Sequence, residues 1–301
     1  MKIAVTGTSG QLATALMVQC PPGQQLVLLG RPQLDLTDLA SIAPALGNAA
    51  PDLVVSAAAY TAVDRAESDH EAAFAINAAG AGQVARVAHD LGVPLLHLST
   101  DYVFDGTKPA PYIETDPVAP LGVYGASKQA GEDAVLAAHP GAVILRTAWV
   151  YSPFGQNFVK TMLHLAQSRS ELGVVADQIG NPTSALDMAD GIWAIAAQLC
   201  RQPHTAPRGI YHMAGHGEAS WADLAEAIFA ASAALGGPVA QVRRIGTSAY
   251  PTPAARPANS RLNCDALAKA YGVRLPHWRA SVAQVVAQLL TQPAKDKDTA
   301  A

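Results

Sequence analysis

Short apolar runs alternate with longer alanine-rich stretches through the first half of the chain, which has 301 residues. The short runs are rich in β-branched residues, which is typical of buried strands. The longer stretches suit crossover helices, so the repeated strand–helix–strand units predict a parallel sheet with helices on both faces. The predicted strands are Lys2–Thr6, Leu26–Leu29, Leu53–Ser56, Leu95–Ser99 and Val143–Thr147, and the predicted helices are Gln11–Gln19, Asp38–Leu46, Glu67–Leu91 and Tyr124–Ala138.

The pattern loosens after Thr147, where proline-rich stretches separate the later elements. We predict an α/β chain with a Rossmann-like, doubly wound parallel sheet in residues 1–150 and a smaller C-terminal substrate-binding lobe in residues 151–294. Whether segments of that lobe return to the first domain stays open, and the polar residues 295–301 are predicted to be disordered. The later predicted helices are Asn157–Ser168, Asp187–Leu199, Ser220–Leu235 and Arg279–Thr291, and the candidate strands are Gly209–Met213 and Val242–Ile245.

Composition narrows the class of protein. Half of the residues are hydrophobic and the net charge is -4, which excludes an intrinsically disordered chain and argues against a nucleic-acid binder. The three cysteines lie far apart, so they form no CxxC metal or redox pair, and their odd number argues against a disulfide framework. No signal peptide and no apolar run of about 18 residues is evident. We therefore expect a cytoplasmic protein without nucleic-acid or membrane partners.

A glycine-rich turn follows the first predicted strand directly and reads GTSGQLA over residues 7–13. Gly7 and Gly10 allow a tight turn whose N–H groups approach a pyrophosphate, and the following helix N-terminus attracts the anion. The alternative is a plain strand–helix turn. Arg31 stands after the second strand, where many NAD-specific proteins carry an acidic residue, and it favours the 2′-phosphate of NADPH. A solvated loop arginine is the alternative for Arg31, and use of NADH stays open.

A tyrosine and a lysine stand four residues apart in YGASK, at Tyr124 and Lys128. On a helix, positions i and i+4 share one face, so we expect the cation to lower the pKa of the phenol for proton exchange with a carbonyl oxygen. Thr100, at the end of the fourth strand, is placed to donate to the same oxygen. The alternatives are a surface Tyr–Lys pair and a strand-end turn residue.

Taken together, these segments resemble the extended short-chain dehydrogenase/reductases and, within them, the dTDP-4-dehydrorhamnose reductases. The narrower resemblance extends from the first strand to about residue 263. It rests on stretches that a generic cofactor fold does not require. These are LGRPQLDLTD, AAAYTAVDRAE, NAAG, STDYVFDG, RTAWVY, DQIGNPT and RPANSRL.

The resemblance implies NADPH-dependent reduction of the C4 keto group of dTDP-4-dehydro-L-rhamnose to dTDP-L-rhamnose. It implies that Thr100, Tyr124 and Lys128 are catalytic, with Tyr124 also touching cofactor and substrate and Lys128 also holding the nicotinamide ribose. Further cofactor contacts are implied at Gly10, Gln11, Leu12, Asp35, Leu36, Ala57, Ala58 and Tyr60, beside Gly7 and Arg31. Substrate contacts are implied at Thr100, Asp101 and Trp149, with Gln178, Thr183 and Arg256 as candidates for holding the diphosphate.

Several alternatives stay open. Trp149 is a core aromatic residue in the simpler interpretation, and Arg256 a solvated loop residue. Members of the family are thought to dimerise through Mg²⁺ held partly by an acidic residue in the first helix, but residues 12–16 contain no carboxylate, so a monomer or another homodimer is plausible. The histidines show no HxxxH or HxxE spacing, so no catalytic metal is predicted.

Two rival functions are also open. Nucleotide-sugar epimerases and dehydratases share the fold, but related dehydratases carry an Asp–Glu pair after the strand-end threonine, whereas Asp101 is followed by Tyr102. A non-catalytic NADP-binding regulatory subunit would typically lack the tyrosine or the lysine, and both are present. The sugar stereochemistry stays undecided.

Overall fold

The computed structural model describes residues 1–291. The predicted disordered tail at 295–301 lies outside the described residues. Residues 1–291 form twelve strands: β1 Lys2–Thr6, β2 Gln25–Leu29, β3 Leu53–Ser56, β4 Leu95–Thr100, β5 Val143–Thr147, β6 Val150–Tyr151, β7 Glu171–Val175, β8 Ile179–Gly180, β9 Thr183–Ser184, β10 Gly209–His212, β11 Ala219–Ser220 and β12 Gln241–Ile245.

Helices alternate with these strands through most of the chain. They are α1 Gln11–Val18, α2 Leu39–Ala49, α3 Val63–Ala66, α4 His70–Phe74, a π-helical segment Ala75–Gly80, α5 Ala81–Asp90, α6 Val123–Ala138, α7 Phe158–Leu165, α8 Ala185–Arg201, α9 Trp221–Ala233, α10 Asp265–Tyr271 and α11 Trp278–Thr291. Short 3₁₀ turns occur at Asp101–Val103 and Thr247–Ala249.

Six parallel strands form the central sheet in the order β10-β5-β4-β3-β1-β2. Alternate residues of β1 enter different apolar clusters: Ile3 and Val5 pack on one face, and Ala4 packs on the other. Helices α1 and α8 cover the first face, while α2 and α5 cover the second. The strand order reverses between β1 and β3, where ligands bind beyond the carboxyl ends of the strands. The predicted Rossmann-like fold is confirmed.

The helix predicted over Glu67–Leu91 forms from His70 to Asp90, but it is not a regular α-helix throughout. The segment contains α4, the π-helical stretch and α5, and Asn77 in the π-helical stretch is buried. Its side chain accepts the N–H of Tyr60 (2.8 Å) and donates to the Tyr60 carbonyl (3.0 Å) and to the Ser127 hydroxyl (2.9 Å). A π turn interrupts the regular helix at this point, and such turns occur mostly as local insertions in α-helices.

The second half of the chain contributes to both parts of the molecule. Strand β10 pairs with β5 at the edge of the central sheet, and α8 packs against α1, where the Trp193 indole N–H donates to the Leu16 carbonyl (3.2 Å). Three two-stranded pairs, β7–β12, β6–β9 and β8–β11, lie outside the central sheet and pack with α7, α9 and α11. Within residues 1–291, no helix is long and apolar enough to cross a membrane.

Candidate active site

A cavity of about 870 Å³ opens where the carboxyl ends of β1, β3, β4 and β5 meet. Parallel strands of a doubly wound sheet bring their ligand-binding loops together at this edge. The cavity therefore collects residues from motifs that are far apart in sequence. Its lining includes Gly7, Gly10, Gln11, Leu12, Arg31, Asp35, Leu36, Ala57, Ala58, Thr100, Asp101, Tyr124, Lys128 and Trp149.

The glycine-rich turn forms one wall of the cavity. Gly7 has φ +99°, a conformation that favours glycine, and Gly10 precedes α1 with no side chain capping that helix. Nothing lies within 4 Å of the position that a Cβ at Gly10 would occupy. The uncapped N–H groups and positive dipole end of α1 are suited to an anion in this space.

Buried polar contacts hold the turn against neighbouring strands. The Thr6 hydroxyl accepts the N–H groups of Ala57 and Ala58, both at 3.0 Å. The Gln11 amide oxygen accepts from the Ser152 hydroxyl (2.8 Å) and from the Asn157 amide (3.1 Å). Gln11 therefore links the start of α1 to the chain between β6 and α7.

The rim after β2 carries opposite charges. Arg31 is exposed there, and the Asp35 carboxylate accepts both the N–H and the O–H of Thr37 (2.9 and 2.8 Å). The backbone bond from Thr37, its hydroxyl and the charge of Arg31 hold the pKa of Asp35 below its usual value. Tyr60 is absent from the cavity lining, and its phenol donates to Asp69 (3.0 Å). Its predicted cofactor contact stays a prediction.

Tyr124 and Lys128 both line the cavity from the first turns of α6, which begins after Gly122. The predicted lowering of the Tyr124 pKa by Lys128 is wrong for this structure. Burial raises the pKa of Tyr124 well above its usual value, Thr100 lowers it, and the charges of Asp101 and Tyr102 raise it. The Lys128 ammonium instead donates to the Leu98 carbonyl (2.6 Å). Its pKa is about 8, because burial lowers it more than Glu132 raises it.

A buried ion pair behind Lys128 joins three elements of the site. Glu132 on α6 accepts from the Nε and Nη2 atoms of Arg146 on β5 (2.9 and 2.6 Å) and from the hydroxyl of Ser99 on β4. Both charged side chains are 3% exposed. The ion pair holds α6 against β5, and the Ser99 bond holds α6 against β4, which ends in Thr100. Its sequence signals, an acidic residue four positions after Lys128 and an arginine in an apolar strand, were not used in the prediction.

Asp101 is a buried carboxyl group beside the proton-transfer residues. Its Oδ1 atom accepts from the Thr100 hydroxyl (3.0 Å), and Oδ2 has no protein hydrogen-bond partner within residues 1–291. Burial raises its pKa to about 6, although hydrogen bonds from Ser260 and Thr100 act in the opposite direction. Oδ2 is itself fully buried, so a group in the cavity reaches it only if neighbouring atoms move.

Trp149 lines the cavity with a left-handed backbone conformation (φ +47°) that is uncommon outside glycine. Its indole stacks on that of Trp221, with ring centroids 3.7 Å apart and planes inclined by 5°. A Cβ at Gly180 would collide with the Trp149 ring, so only glycine fits there. Trp149 is half-buried and packs against two apolar clusters as well as lining the cavity, so the core interpretation and the predicted sugar contact both stay open. Trp221 was missed, because no local motif marks it.

Three residues predicted to hold the substrate diphosphate lie outside the cavity lining. The Arg256 guanidinium donates to Asp64 (2.7 Å) and to the phenol oxygen of Tyr102 (3.3 Å). Thr183 is fully buried and bonds to backbone atoms, and both ends of the Gln178 amide contact neighbouring side chains. The diphosphate role of all three stays a prediction.

The structure also bears on the predicted metal chemistry. Among residues 1–291, no three His, Cys, Asp or Glu side chains are grouped to hold a metal ion. Helix α1 has no acidic residue in its first turn, and Ala13, Ala15 and Leu16 are buried. The oligomeric state and its dependence on Mg²⁺ stay open.

Comparison with known proteins gives a consistent result. The family model of the RmlD substrate binding domain matches residues 1–291. A dTDP-4-dehydrorhamnose reductase of Sinorhizobium fredii is 50% identical over 292 residues, covering 97% of this chain and 99% of the relative. A solved dTDP-4-dehydrorhamnose reductase from Clostridium acetobutylicum has a TM-score of 0.88 and 34% identity, covering 97% of this chain and 100% of that one. The Bacillus anthracis dTDP-4-dehydrorhamnose reductase in complex with NADP has a TM-score of 0.87 and 35% identity, covering 95% of this chain and 99% of that one. The chain belongs to the dTDP-4-dehydrorhamnose reductase family.

Proposed function

We propose that the protein catalyses NADPH-dependent reduction of dTDP-4-dehydro-L-rhamnose to dTDP-L-rhamnose. The observation that carries the proposal is one cavity lined by both the uncapped start of α1 and the group Thr100, Tyr124 and Lys128. Relatives named dTDP-4-dehydrorhamnose reductase, and the NADP in one solved relative, support the same reaction.

The residues at the turn fit a dinucleotide. We assign the cofactor diphosphate to the N–H groups that follow Gly7 and Gly10, the adenine side to Asp35 and Leu36, and the 2′-phosphate to the exposed Arg31. Gln11, Leu12, Ala57 and Ala58 complete this wall, while Tyr60 supports it from outside the lining. NADPH, when bound, supplies the hydride. Lys128 is assigned to the nicotinamide ribose.

In the proposed reaction, Tyr124 donates a proton to the oxygen at C4 as the keto group becomes an alcohol. The phenol is protonated at neutral pH, as a proton donor must be, although its raised pKa makes it a weaker acid than a phenol in water. We assign the Thr100 hydroxyl to the same oxygen, to which it donates by turning away from Asp101 Oδ1. The Lys128 ammonium is assigned to stabilise the phenolate that forms, until the phenolate takes up a proton from solvent.

The substrate side of the cavity is assigned to Asp101 and Trp149. The free Oδ2 of Asp101 suits a sugar hydroxyl, and the Trp149 ring suits an apolar sugar face. We assign residues 1–150 chiefly to the cofactor and the lobe within 151–294 chiefly to the substrate, with β10 and α8 returning to the first domain. Monomer and homodimer are both compatible with this assignment.

A coupled assay tests the proposed function. The protein is mixed with NADPH and with enzymatically prepared dTDP-4-dehydro-L-rhamnose, while nicotinamide absorbance and product stereochemistry are measured. We expect one NADPH consumed for each dTDP-L-rhamnose formed. An isomerised product without NADPH loss would indicate an epimerase. Tight NADPH binding without carbonyl reduction would indicate a regulatory subunit.

A further inference from the structure

We propose that Trp221 is a positioning residue for the nucleotide sugar and that Gln178 acts through it. The inference rests on the proposed function and deepens it. Trp149 lines the cavity, whereas Trp221 stacks behind it and is absent from the lining. Trp221 therefore determines the plane of the ring that faces the sugar.

The geometry leaves Trp149 little freedom. Trp221 covers one indole face at a centroid distance of 3.7 Å, and Gly180 packs directly against the indole. The left-handed backbone of Trp149 is costly for a residue with a Cβ, so it persists only where its surroundings enforce it. The stack with Trp221 supplies part of that enforcement. The ring surface that is not covered by Trp221 remains for the apolar C–H face of a deoxy sugar.

A chain of hydrogen bonds fixes Trp221 in turn. The Trp221 indole N–H donates to the Gln178 amide oxygen (3.2 Å), and the Gln178 amide nitrogen donates to the Thr247 hydroxyl (3.0 Å). Thr247 donates to the Asp177 carboxylate (2.7 Å). Gln178 is 8% exposed, and both the oxygen and the nitrogen of its amide take part in these hydrogen bonds. These contacts assign Gln178 to the support of Trp221, in place of the direct diphosphate contact predicted for it.

Binding of two ligands separates the two roles. Isothermal titration with dTDP-L-rhamnose and with dTDP is carried out on the full chain and on Trp221→Leu, Trp221→Phe and Gln178→Leu. We expect Trp221→Leu to weaken dTDP-L-rhamnose binding roughly 3- to 10-fold, the range for one aromatic pair, with less than about a twofold change for dTDP. Trp221→Phe keeps a ring in the stack and should retain most of the affinity. Gln178→Leu should weaken the binding of dTDP-L-rhamnose but not the binding of dTDP.

Kinetics and a matched control complete the test. Trp193→Phe removes an indole whose N–H bonds to Leu16 outside the cavity, and it should leave the KM for the sugar nucleotide unchanged. In Trp221→Leu, the KM should rise more than kcat falls, and the near-ultraviolet circular dichroism of the stacked indoles should be lost. If Trp221→Leu does not fold, Gln178→Leu carries the test.

Two outcomes would overturn the inference. Unchanged dTDP-L-rhamnose affinity in folded Trp221→Leu and in Gln178→Leu would show that the stack does not position the sugar. Equal weakening of dTDP and dTDP-L-rhamnose in Gln178→Leu would show a direct diphosphate contact. Absence of sugar reduction by the unmodified protein would instead count against the proposed function.

Discussion

Tyr124 is half-buried, and its surroundings raise the pKa of its phenol above that of a phenol in water. A group that is protonated at neutral pH is suited to donate to an oxygen that gains negative charge. The neighbouring Thr100 hydroxyl contacts the same phenol and partly offsets the effect of burial. We therefore assign Tyr124 as the acid and Lys128 as the cation that stabilises the phenolate after Tyr124 has lost its proton.

Replacement of the phenol tests this assignment. Tyr124→Phe should lower kcat by roughly 10²- to 10⁴-fold, the usual contribution of a positioned general acid. NADPH affinity, measured by fluorescence titration, should stay within about twofold because the ring is retained. Tyr211→Phe, which removes a phenol that bonds to the Arg208 carbonyl outside the cavity, is the control. Near-native turnover of Tyr124→Phe would refute the assignment.

The protonation of Lys128 should appear in the pH profile. Its pKa of about 8 means that the ammonium is lost as the pH rises through 8, whereas the raised pKa of Tyr124 keeps the phenol protonated there. We expect kcat/KM to fall above about pH 8. In Lys128→Gln, activity should be lower and this basic limb should be absent. A limb at the same pH in the variant would assign it to another group.

At the scale of elements, helix α6 owes its position to close backbone contacts. A Cβ at Gly131 would collide with the Asn77 carbonyl oxygen in the π-helical segment, and one at Gly125 would collide with the Tyr102 carbonyl. The ion pair between Glu132 and Arg146 then ties the helix to β5. These contacts bring Tyr124 and Lys128 to the end of β4.

Two glycine substitutions separate the contribution of packing to the free energy of unfolding from that of helix propensity. Gly131→Ala should lower the free energy of unfolding by about 1–3 kcal/mol, because the added methyl group forces α6 from the π-helical segment. Gly47→Ala, in an exposed part of α2 with no atom within 4 Å of the new Cβ, should be neutral or stabilise by up to about 1 kcal/mol. Urea denaturation of both variants measures the difference. Equal effects would contradict the packing argument.

Periodicity predicted elements that form within short stretches of sequence. Val143–Thr147 was predicted with the bounds that the structure has, and Ser220 caps α9 where the helix was expected to start. The π-helical segment escaped prediction because it depends on bonds from Asn77 to Tyr60 and to Ser127, 50 residues away. Helical periodicity contains no information on such tertiary contacts.

In the whole molecule, the predicted parts of the site are formed by local sequence patterns, and the missed parts are formed by contacts between distant segments. The glycine turn and the Tyr124–Lys128 pair are local patterns, and both line the cavity. The stack of Trp149 on Trp221 and the pairing of β10 with β5 join distant segments. Neither was predicted, because the partners come together only when the second half of the chain folds onto the central sheet.

The cavity connects the start of α1 with the end of β4. The proposed function requires transfer of a hydride within this cavity to C4 of the sugar. Reduction of dTDP-4-dehydro-L-rhamnose with NADPH deuterated at the transferable position of its nicotinamide C4, followed by NMR and mass spectrometry of the product, tests this claim most directly. We expect dTDP-L-rhamnose with one deuterium, bound to C4 of the sugar. A product without deuterium, or with deuterium at another carbon, would contradict it.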